Sequence, residues 1–198
     1  MVLIRAACER RAVPWKNGGG LTREVAAHPP GSDLGSFGWR VSIAEVRAAG
    51  PFSSFPDVDR CMAVLAGSLR LEIAGAASLQ LTPEAAPLCF AGEAAAYAEP
   101  LGAAVTDLNV MTRRAHYRAQ LSRHALPHAT TFALGAGTTV LVALAELALR
   151  AADGHWRLVA LDAAVLTGVA RCELAPAAAG GQQSAVYLAD IRTVTRPR

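Results

Sequence analysis

Hydrophobic and polar residues alternate in short segments along most of this chain. Trp39, Val41 and Ile43 fall on one face of an extended segment, and Arg40 and Ser42 fall on the other. Glycine and proline separate such segments, so many short strands in an all-β sandwich or barrel are expected. Further strands are predicted at 63–65, 69–73, 79–81, 88–90, 105–111, 138–149, 156–161, 164–167, 170–174 and 184–191.

Three segments are harder to place by pattern. Residues 66–68 favour a turn between two strands, and residues 122–130 are polar and contain a proline, which favours a connector. The alanines at 144–151 equally favour a helix. Residues 175–183 predict an exposed loop. The second half of the chain resembles a smaller, degenerate version of the first in its pattern only.

Composition narrows the class of protein. Hydrophobic residues make up 53% of the 198 residues and charged residues 18%, which is enough for a core and argues against disorder. The net charge of +3 is spread over scattered arginines, so no nucleic-acid partner is expected. The longest apolar run, 140–149, is too short to cross a bilayer, and Arg5 interrupts the apolar start, so neither a membrane span nor a secretory leader is expected. We therefore expect a soluble cytoplasmic protein.

The cysteines and histidines suggest no special chemistry. The cysteines are far apart and form no C-x-x-C motif, so buried reduced thiols are expected at Cys8, Cys61, Cys89 and Cys172. The histidines form no H-x-H or H-E-x-x-H pair, and no P-loop, dinucleotide fingerprint or G-x-S-x-G motif occurs. We expect no metal and no cofactor.

A single lysine, Lys16, stands among eighteen arginines. Asn17 and the three glycines 18–20 follow it directly. A compact cation, an amide and a bare backbone predict an anion-binding corner. A tight turn with a solvated lysine fits the same residues equally well.

Two strands carry polar residues on one face. Asp107, Asn109, Met111 and Arg113 alternate with apolar residues, as Arg40 and Ser42 do. Such a polar face usually faces water, and the pattern alone favours this interpretation. Inside a barrel, however, the same face can line a cavity.

Arg60 opens a strand after a loop stiffened by two prolines. A guanidinium can hold a carboxylate through two hydrogen bonds. A loop-stabilising pair with Asp57 or Asp59 is an equally good interpretation of Arg60. Glu24, which shares a face with Thr22, could orient Lys16 or Arg40, or simply pair with Arg23.

Together these segments resemble the HutD/Ves family. The match rests, in order and spacing, on four motifs: PWKNGGGLTREV at 14–25, WRVSIA at 39–44, GPFSSFP at 50–56 with Asp59-Arg60, and DLNVM at 107–111. It covers roughly the first 115 residues well. The resemblance implies an all-β bicupin, with a first cupin-type β-barrel at 1–120 and a second, degenerate barrel at 121–198. Phe52, Ser53 and Arg60 stand where a metal-binding cupin would offer histidines and a glutamate.

The resemblance also implies a function. Members of the family are associated with bacterial histidine utilisation, where a proposed role is to moderate the pathway by binding an intermediate such as formylglutamate or urocanate. Our first hypothesis is therefore a binding module for a small anionic metabolite. In it Lys16, Arg40 and Arg60 neutralise a carboxylate, while Ser42 and Asn109 fix its polar atoms. The full predicted site is Lys16, Asn17, Arg40, Ser42, Arg60, Asp107, Asn109 and Met111.

Two alternatives stay open. A metal-independent enzyme could use a desolvated Lys16 as base or nucleophile on a small anionic substrate. An interaction protein could instead use a barrel face to form a homodimer.

Overall fold

Strands make up most of the regular structure. The structure is a computed structural model and describes residues 1–177 and 184–194. Within those ranges there is no α-helix, and one turn of 3-10 helix spans Ala7–Glu9. The all-β prediction is therefore confirmed. No helix in the same ranges is long and apolar enough to cross a membrane.

The strand bounds are as follows in chain order. In the first part of the chain they are β1 (Val2–Arg5), β2 (Ala12–Pro14), β3 (Gly20–His28), β4 (Trp39–Val46), β5 (Gly50–Pro51), β6 (Val58–Ala66), β7 (Leu69–Ile73), β8 (Leu79–Leu81), β9 (Leu88–Ala91), β10 (Ala96–Pro100) and β11 (Val105–Arg113). In the second part they are β12 (Tyr117–Ala125), β13 (Thr130–Ala133), β14 (Thr138–Ala143), β15 (Leu147–Ala151), β16 (Gly154–Leu158), β17 (Ala163–Thr167), β18 (Arg171–Pro176) and β19 (Ala185–Thr193).

The chain forms two compact units, and the first of them is Arg11–Arg118. It contains a six-stranded sheet of order β2-β3-β4-β11-β6-β9 and a four-stranded sheet of order β5-β10-β7-β8. Both sheets contribute apolar side chains to one core. Its buried members are Val46, Met62, Val64, Leu69, Leu71, Leu81, Ala96, Ala98 and Val105.

The second unit consists of Met1–Arg10 and Ala119–Arg198. It repeats the two-sheet plan with a five-stranded sheet of order β1-β17-β14-β19-β12 and a four-stranded sheet of order β13-β18-β15-β16. The N-terminal strand β1 joins this unit because it pairs antiparallel with β17, with Leu3 opposite Val165. Residues from both sheets again share one core, among them Leu141, Leu147, Leu149, Leu158, Leu174 and Leu188.

The turn predicted at 66–68 is present between β6 and β7. Gly67 has a φ of +85°, a backbone conformation that side chains other than glycine rarely adopt. A Cβ at this position would also lie 3.2 Å from the carbonyl oxygen of Ala104. The glycine therefore permits both the reversal and the close approach of the chain before β11.

Other predictions about the second half were wrong in part. Residues 122–125 belong to β12 rather than to a connector. At 144–151, where a strand and a helix were equally favoured, 147–151 form strand β15. Pairing overrides local propensity at both places, since β12 lies beside β19 and β15 lies between β18 and β16. Of the loop predicted at 175–183, the first two residues end strand β18, and 178–183 lie outside the described residues.

The expectation of four buried, reduced cysteines was also wrong. Cys61 and Cys89 form a disulfide, and their Cα atoms are 4.0 Å apart. The antiparallel register of β6 and β9 places the two residues directly opposite each other. Of the two free cysteines, Cys8 is exposed and only Cys172 is buried.

Candidate functional site

Three neighbouring strands of the six-stranded sheet bring most of the predicted site residues together. On β11, Met111 lies opposite Arg40 of β4 and Arg60 of β6, and Asn109 lies opposite Ser42. Side chains of directly opposed residues project to the same face of a sheet. Met62 and Val64 share that face and belong to the core, so the face is turned toward the interior of the first unit.

The interpretation of this face as solvent-exposed was therefore wrong. Asp107 is 1% exposed, and Asn109, Met111 and Ser42 are each 3% exposed. The four-stranded sheet covers the polar front, which the alternation of a single strand cannot reveal. Arg113, on the same strand, stabilises loops instead, because its guanidinium donates to the carbonyl oxygens of Gly35, Phe37 and Pro56.

Arg60 is the central cation of the site. Its Nε and Nη2 atoms donate to Oδ1 of Asn109 at 2.8 and 2.5 Å. The guanidinium carbon lies 4.2 Å from the ring centre of Phe52 and 5.5 Å from that of Phe90. Arg60 thus bonds to neither Asp57 nor Asp59. Burial lowers its pKa to about 10, partly offset by the charge of Asp107, so it stays protonated at neutral pH.

Asp107 is the buried anion of the site. Its Oδ1 accepts a hydrogen bond from Nδ2 of Asn109, while Oδ2 has no hydrogen-bond partner in the described part of the chain. Burial raises the pKa of the Asp107 carboxyl to about 6, against the opposing effects of the Arg60 charge and the Asn109 hydrogen bond. The carboxyl therefore changes protonation state close to neutral pH. The amide of Asn109 connects it to Arg60.

A second cation lies beside this cluster. Arg40 donates from Nε to Oε2 of Glu24 at 2.9 Å and from Nη1 to Oγ of Ser42 at 3.4 Å. Glu24 is on β3, and its side chain is 41% exposed. This ion pair is therefore more exposed to solvent than the cluster around Arg60. The suggestion that Glu24 orients Arg40 is confirmed.

Lys16 and Asn17 lie in an exposed turn between β2 and β3. The amide of Gly18 donates to the carbonyl oxygen of Trp15, and the amide of Gly19 donates to Oδ1 of Asn17. Within the described residues Lys16 forms no ion pair or hydrogen bond. The side chain of Asn17 is thus used to close the turn, and the ammonium of Lys16 is free.

An aromatic chain links this turn to the buried arginine. The ring of Trp15 meets that of Phe52 edge-on at 6.3 Å between centroids, and Phe52 covers Arg60. Nε1 of Trp15 donates to Oγ1 of Thr22 on β3, which fixes the indole. The roles of Trp15 and Phe90 were not predicted from the sequence, and Phe52 was named only as a residue that replaces a metal ligand of other cupins. The signal available was their position beside the matched motifs.

A metal centre and a surface groove are two other places where chemistry could occur. Within residues 1–177 and 184–194, no three His, Cys, Asp or Glu side chains are grouped so that they could hold a metal ion. The second unit has an open groove of about 840 Å³, and its charged lining residues are Arg150, Asp153, Arg171 and Glu173. None of the predicted site residues lines that groove.

The fold and the buried cluster define an all-β protein that holds an arginine, an amide and a carboxyl inside a sheet-lined core. Comparison with known families specifies it further. The sequence profile of the HutD family matches residues 7–185. The chain belongs to the HutD family, and the resemblance to HutD/Ves proteins is confirmed.

Individual relatives agree with this assignment. An uncharacterised 21.2 kDa protein in the hutC 3' region of Pseudomonas putida is 41% identical over 120 residues, which cover 60% of this chain and 62% of the relative. Protein Ves of Cronobacter sakazakii is 40% identical over 108 residues, which cover 54% and 58%. This chain spans about three fifths of the length of both relatives.

Solved structures share the fold. A conserved protein of unknown function from Pseudomonas aeruginosa has a TM-score of 0.87 at 28% identity, with 96% of this chain and 98% of that chain covered. HutD from Pseudomonas fluorescens has a TM-score of 0.83 at 24% identity, with 98% and 100% covered. A mutant oxalate decarboxylase from Bacillus subtilis has a TM-score of 0.65 at 9% identity, with 96% of this chain and 76% of that chain covered. The fold is therefore all-β with cupin-like neighbours.

Proposed function

We propose that the first unit binds a small carboxylate metabolite at Arg60, and that the protein moderates histidine utilisation by binding a pathway intermediate such as formylglutamate or urocanate. One observation carries the proposal. Arg60 is buried against two aromatic rings, yet its guanidinium donates to a neutral amide rather than to a carboxylate.

The charge balance around Arg60 favours an anionic ligand. A buried cation needs a nearby negative charge, and Asp107 supplies one only above its pKa of about 6. The Nη1 group of Arg60 has no hydrogen-bond partner in the described residues. A ligand carboxylate beside that edge would provide both the missing charge and a charge-assisted hydrogen bond.

The surrounding side chains suggest the rest of the ligand. Phe52 and Phe90 offer flat apolar surfaces on which a planar or short aliphatic group could rest. The unpartnered Oδ2 of Asp107 could accept a hydrogen bond from a donor such as an amide or an imidazole N–H. A carboxylate that also carries an N–H donor satisfies both requirements. In the proposal Ser42, Asn109 and Met111 line the site, Arg40 adds charge, and Lys16 and Asn17 lie at its rim.

We extend the proposal to the fold. Two sheets share one apolar core in each unit, which supports two cupin-type barrels and therefore a bicupin. The proposal also includes the place and state in which the protein acts. It binds its ligand in the cytoplasm, as a monomer or as a homodimer.

The test is a ligand panel measured by thermal shift and calorimetry. Formylglutamate, urocanate, glutamate and acetate are compared with neutral carboxamide analogues of the same compounds. A ligand present at about 100 times its Kd stabilises the native state by about 2.7 kcal/mol, which raises Tm by several degrees. The proposal fails if no carboxylate raises Tm, or if the carboxamides act as well as the acids. Mass spectrometry of the recovered ligands would reveal turnover, the sign of the enzyme alternative.

A further inference from the structure

The two cysteines of the Cys61–Cys89 disulfide differ in their exposure to solvent. Cys61 is 6% exposed on β6, which lies between β11 and β9, whereas Cys89 is exposed on the edge strand β9. Cys89 is therefore the end of the bond that a small thiol or disulfide in solution approaches more easily. Access to one sulfur is what thiol–disulfide exchange requires.

The strand that carries Cys89 has a single neighbour in its sheet. β9 has four residues, lies at the edge of the six-stranded sheet, and pairs only with β6. The bond joins residues 28 positions apart and so closes the segment that contains β7 and β8. A cross-link of this length restricts the opened chain substantially. Without it, β9 would be held by its one ladder with β6 and by the packing of Leu88 and Phe90.

The neighbour of Cys89 connects the bond to the interior. Phe90 pairs with Arg60 in the same ladder, and its ring lies 5.5 Å from the guanidinium carbon. Leu88, on the other side of Cys89, packs against the core of the first unit. Movement of β9 would therefore displace both residues from the buried face.

We propose that Cys61 and Cys89 are a reversible redox site, with Cys89 as the sulfur that exchanges with small thiols and disulfides, and that the bond fixes Phe90 against Arg60. In the oxidising direction, the Cys89 thiolate attacks a small disulfide such as oxidised glutathione and releases one small thiolate. The Cys61 thiolate then attacks the Cys89 sulfur and displaces the second. Two cysteine thiols are oxidised, one small disulfide is reduced to two small thiols, and the two protons pass to them. Reduction by small thiols follows the same steps in reverse.

The test equilibrates the full chain in buffers of graded reduced-to-oxidised glutathione ratio, with alkylation and mass spectrometry as the readout. Cys61 and Cys89 should become alkylated together over one range of ratios. Free Cys8 and Cys172 are internal controls, since Cys8 is exposed and burial raises the pKa of the Cys172 thiol to about 11. Alkylation of the pair at every ratio, or protection of the pair at every ratio, would overturn the proposal.

Two single variants separate the roles of the two sulfurs. Cys61→Ser leaves Cys89 exposed, and it should accumulate a mixed disulfide with glutathione. Cys89→Ser leaves Cys61 buried, and it should not. Equal amounts of the mixed disulfide at Cys89 in the first variant and at Cys61 in the second would contradict the assignment of Cys89 as the exchanging sulfur. Cys8→Ser should leave the redox range of the pair unchanged.

The structural part of the proposal has its own readout, which needs no ligand. Native-state hydrogen exchange at the amides of 88–91 should quicken by about tenfold or more on reduction, while exchange in β4 stays the same. If reduction leaves the exchange at 88–91 unchanged, the bond does not hold β9. In that case the bond does not fix Phe90 against Arg60, whether or not the alkylation experiment shows a reversible disulfide.

Discussion

Arg60 and Asn109 form a two-point contact in which Nε and Nη2 of the guanidinium both donate to a single amide oxygen. The same amide donates through Nδ2 to the carboxyl of Asp107. Asn109 is therefore a neutral link between a buried cation and a buried acid. It orients the guanidinium while leaving its Nη1 edge without a partner in the described residues.

Replacing Arg60 by lysine keeps the positive charge and removes the planar fork. Arg60→Lys should weaken binding of a carboxylate ligand by about tenfold or more, because an ammonium lacks the fixed planar geometry that lets one side chain hold Asn109 and present a further N–H to the ligand. It should also lower the free energy of unfolding by about 1–3 kcal/mol, since the Asn109 oxygen loses its donors in a buried place. Calorimetric titration and urea unfolding measure the two effects.

The matched control is Arg70→Lys. Arg70 lies on β7, is exposed, and pairs with Glu99 at 2.7 Å, where a lysine can replace it with little loss. Ligand affinity and stability should both remain close to those of the unmodified protein. If Arg70→Lys and Arg60→Lys weaken binding equally, the ligand does not contact Arg60.

Lys16 should matter for binding and not for folding. Its side chain is exposed and makes no ion pair or hydrogen bond within the described ranges, so Lys16→Ala should change the free energy of unfolding by less than about 0.5 kcal/mol. A rim cation attracts an anion at a distance, so affinity should fall by a factor of about three to ten at low salt, and by less at high salt. Lys16→Arg keeps the charge and should retain the affinity. A large loss with arginine would instead support lysine-specific chemistry.

Gly20 should be the least replaceable glycine of the motif. A Cβ there would overlap the carbonyl oxygen of Glu45 and lie 3.1 Å from the ring of Trp15. Both neighbours are fixed, so Gly20→Ala should lower the free energy of unfolding by more than about 2 kcal/mol. Gly75→Ala is the comparison, because Gly75 has a φ of +83° and open space around it, and its loss should be about 1 kcal/mol. Similar losses would show that the close approach at Gly20 is unimportant.

The sequence predicted much of the local structure of the site. Alternation in 39–44 and 107–111 correctly assigned the two strands and the side chains that share a face, because strand geometry fixes both. Whether that face is buried or exposed was not predictable from one strand. Whether Asp107 and Asn109 meet water or a core depends on a second sheet built from residues 50–100, whose position is a property of the whole unit.

Long-range pairing accounts for the other differences. The disulfide needs β6 and β9 in a particular register, and no local signal near Cys61 or Cys89 gives that register. The partner of Arg60 likewise comes from β11, 49 residues away, rather than from the nearby aspartates that sequence proximity suggested. The place of β1 in the second unit follows from its pairing with β17, again across most of the chain.

The burial of Asp107 should make the stability of the protein fall as pH rises. Its pKa is about 6 in the folded state against 3.8 for the free side chain, so between pH 4 and pH 6 the folded state holds a proton that the unfolded state has released. Two pKa units correspond to about 3 kcal/mol at neutral pH. Asp107→Asn cannot titrate, and its amide oxygen can still accept from Asn109. The variant should therefore match the unmodified protein near pH 4 and exceed it in stability near pH 7, as measured by urea unfolding across that range. Arg60 remains charged throughout, and the exposed carboxylates are common to both proteins, so the difference isolates Asp107. Parallel pH profiles for the two proteins would show that Asp107 is ionised in the folded state at its ordinary pKa.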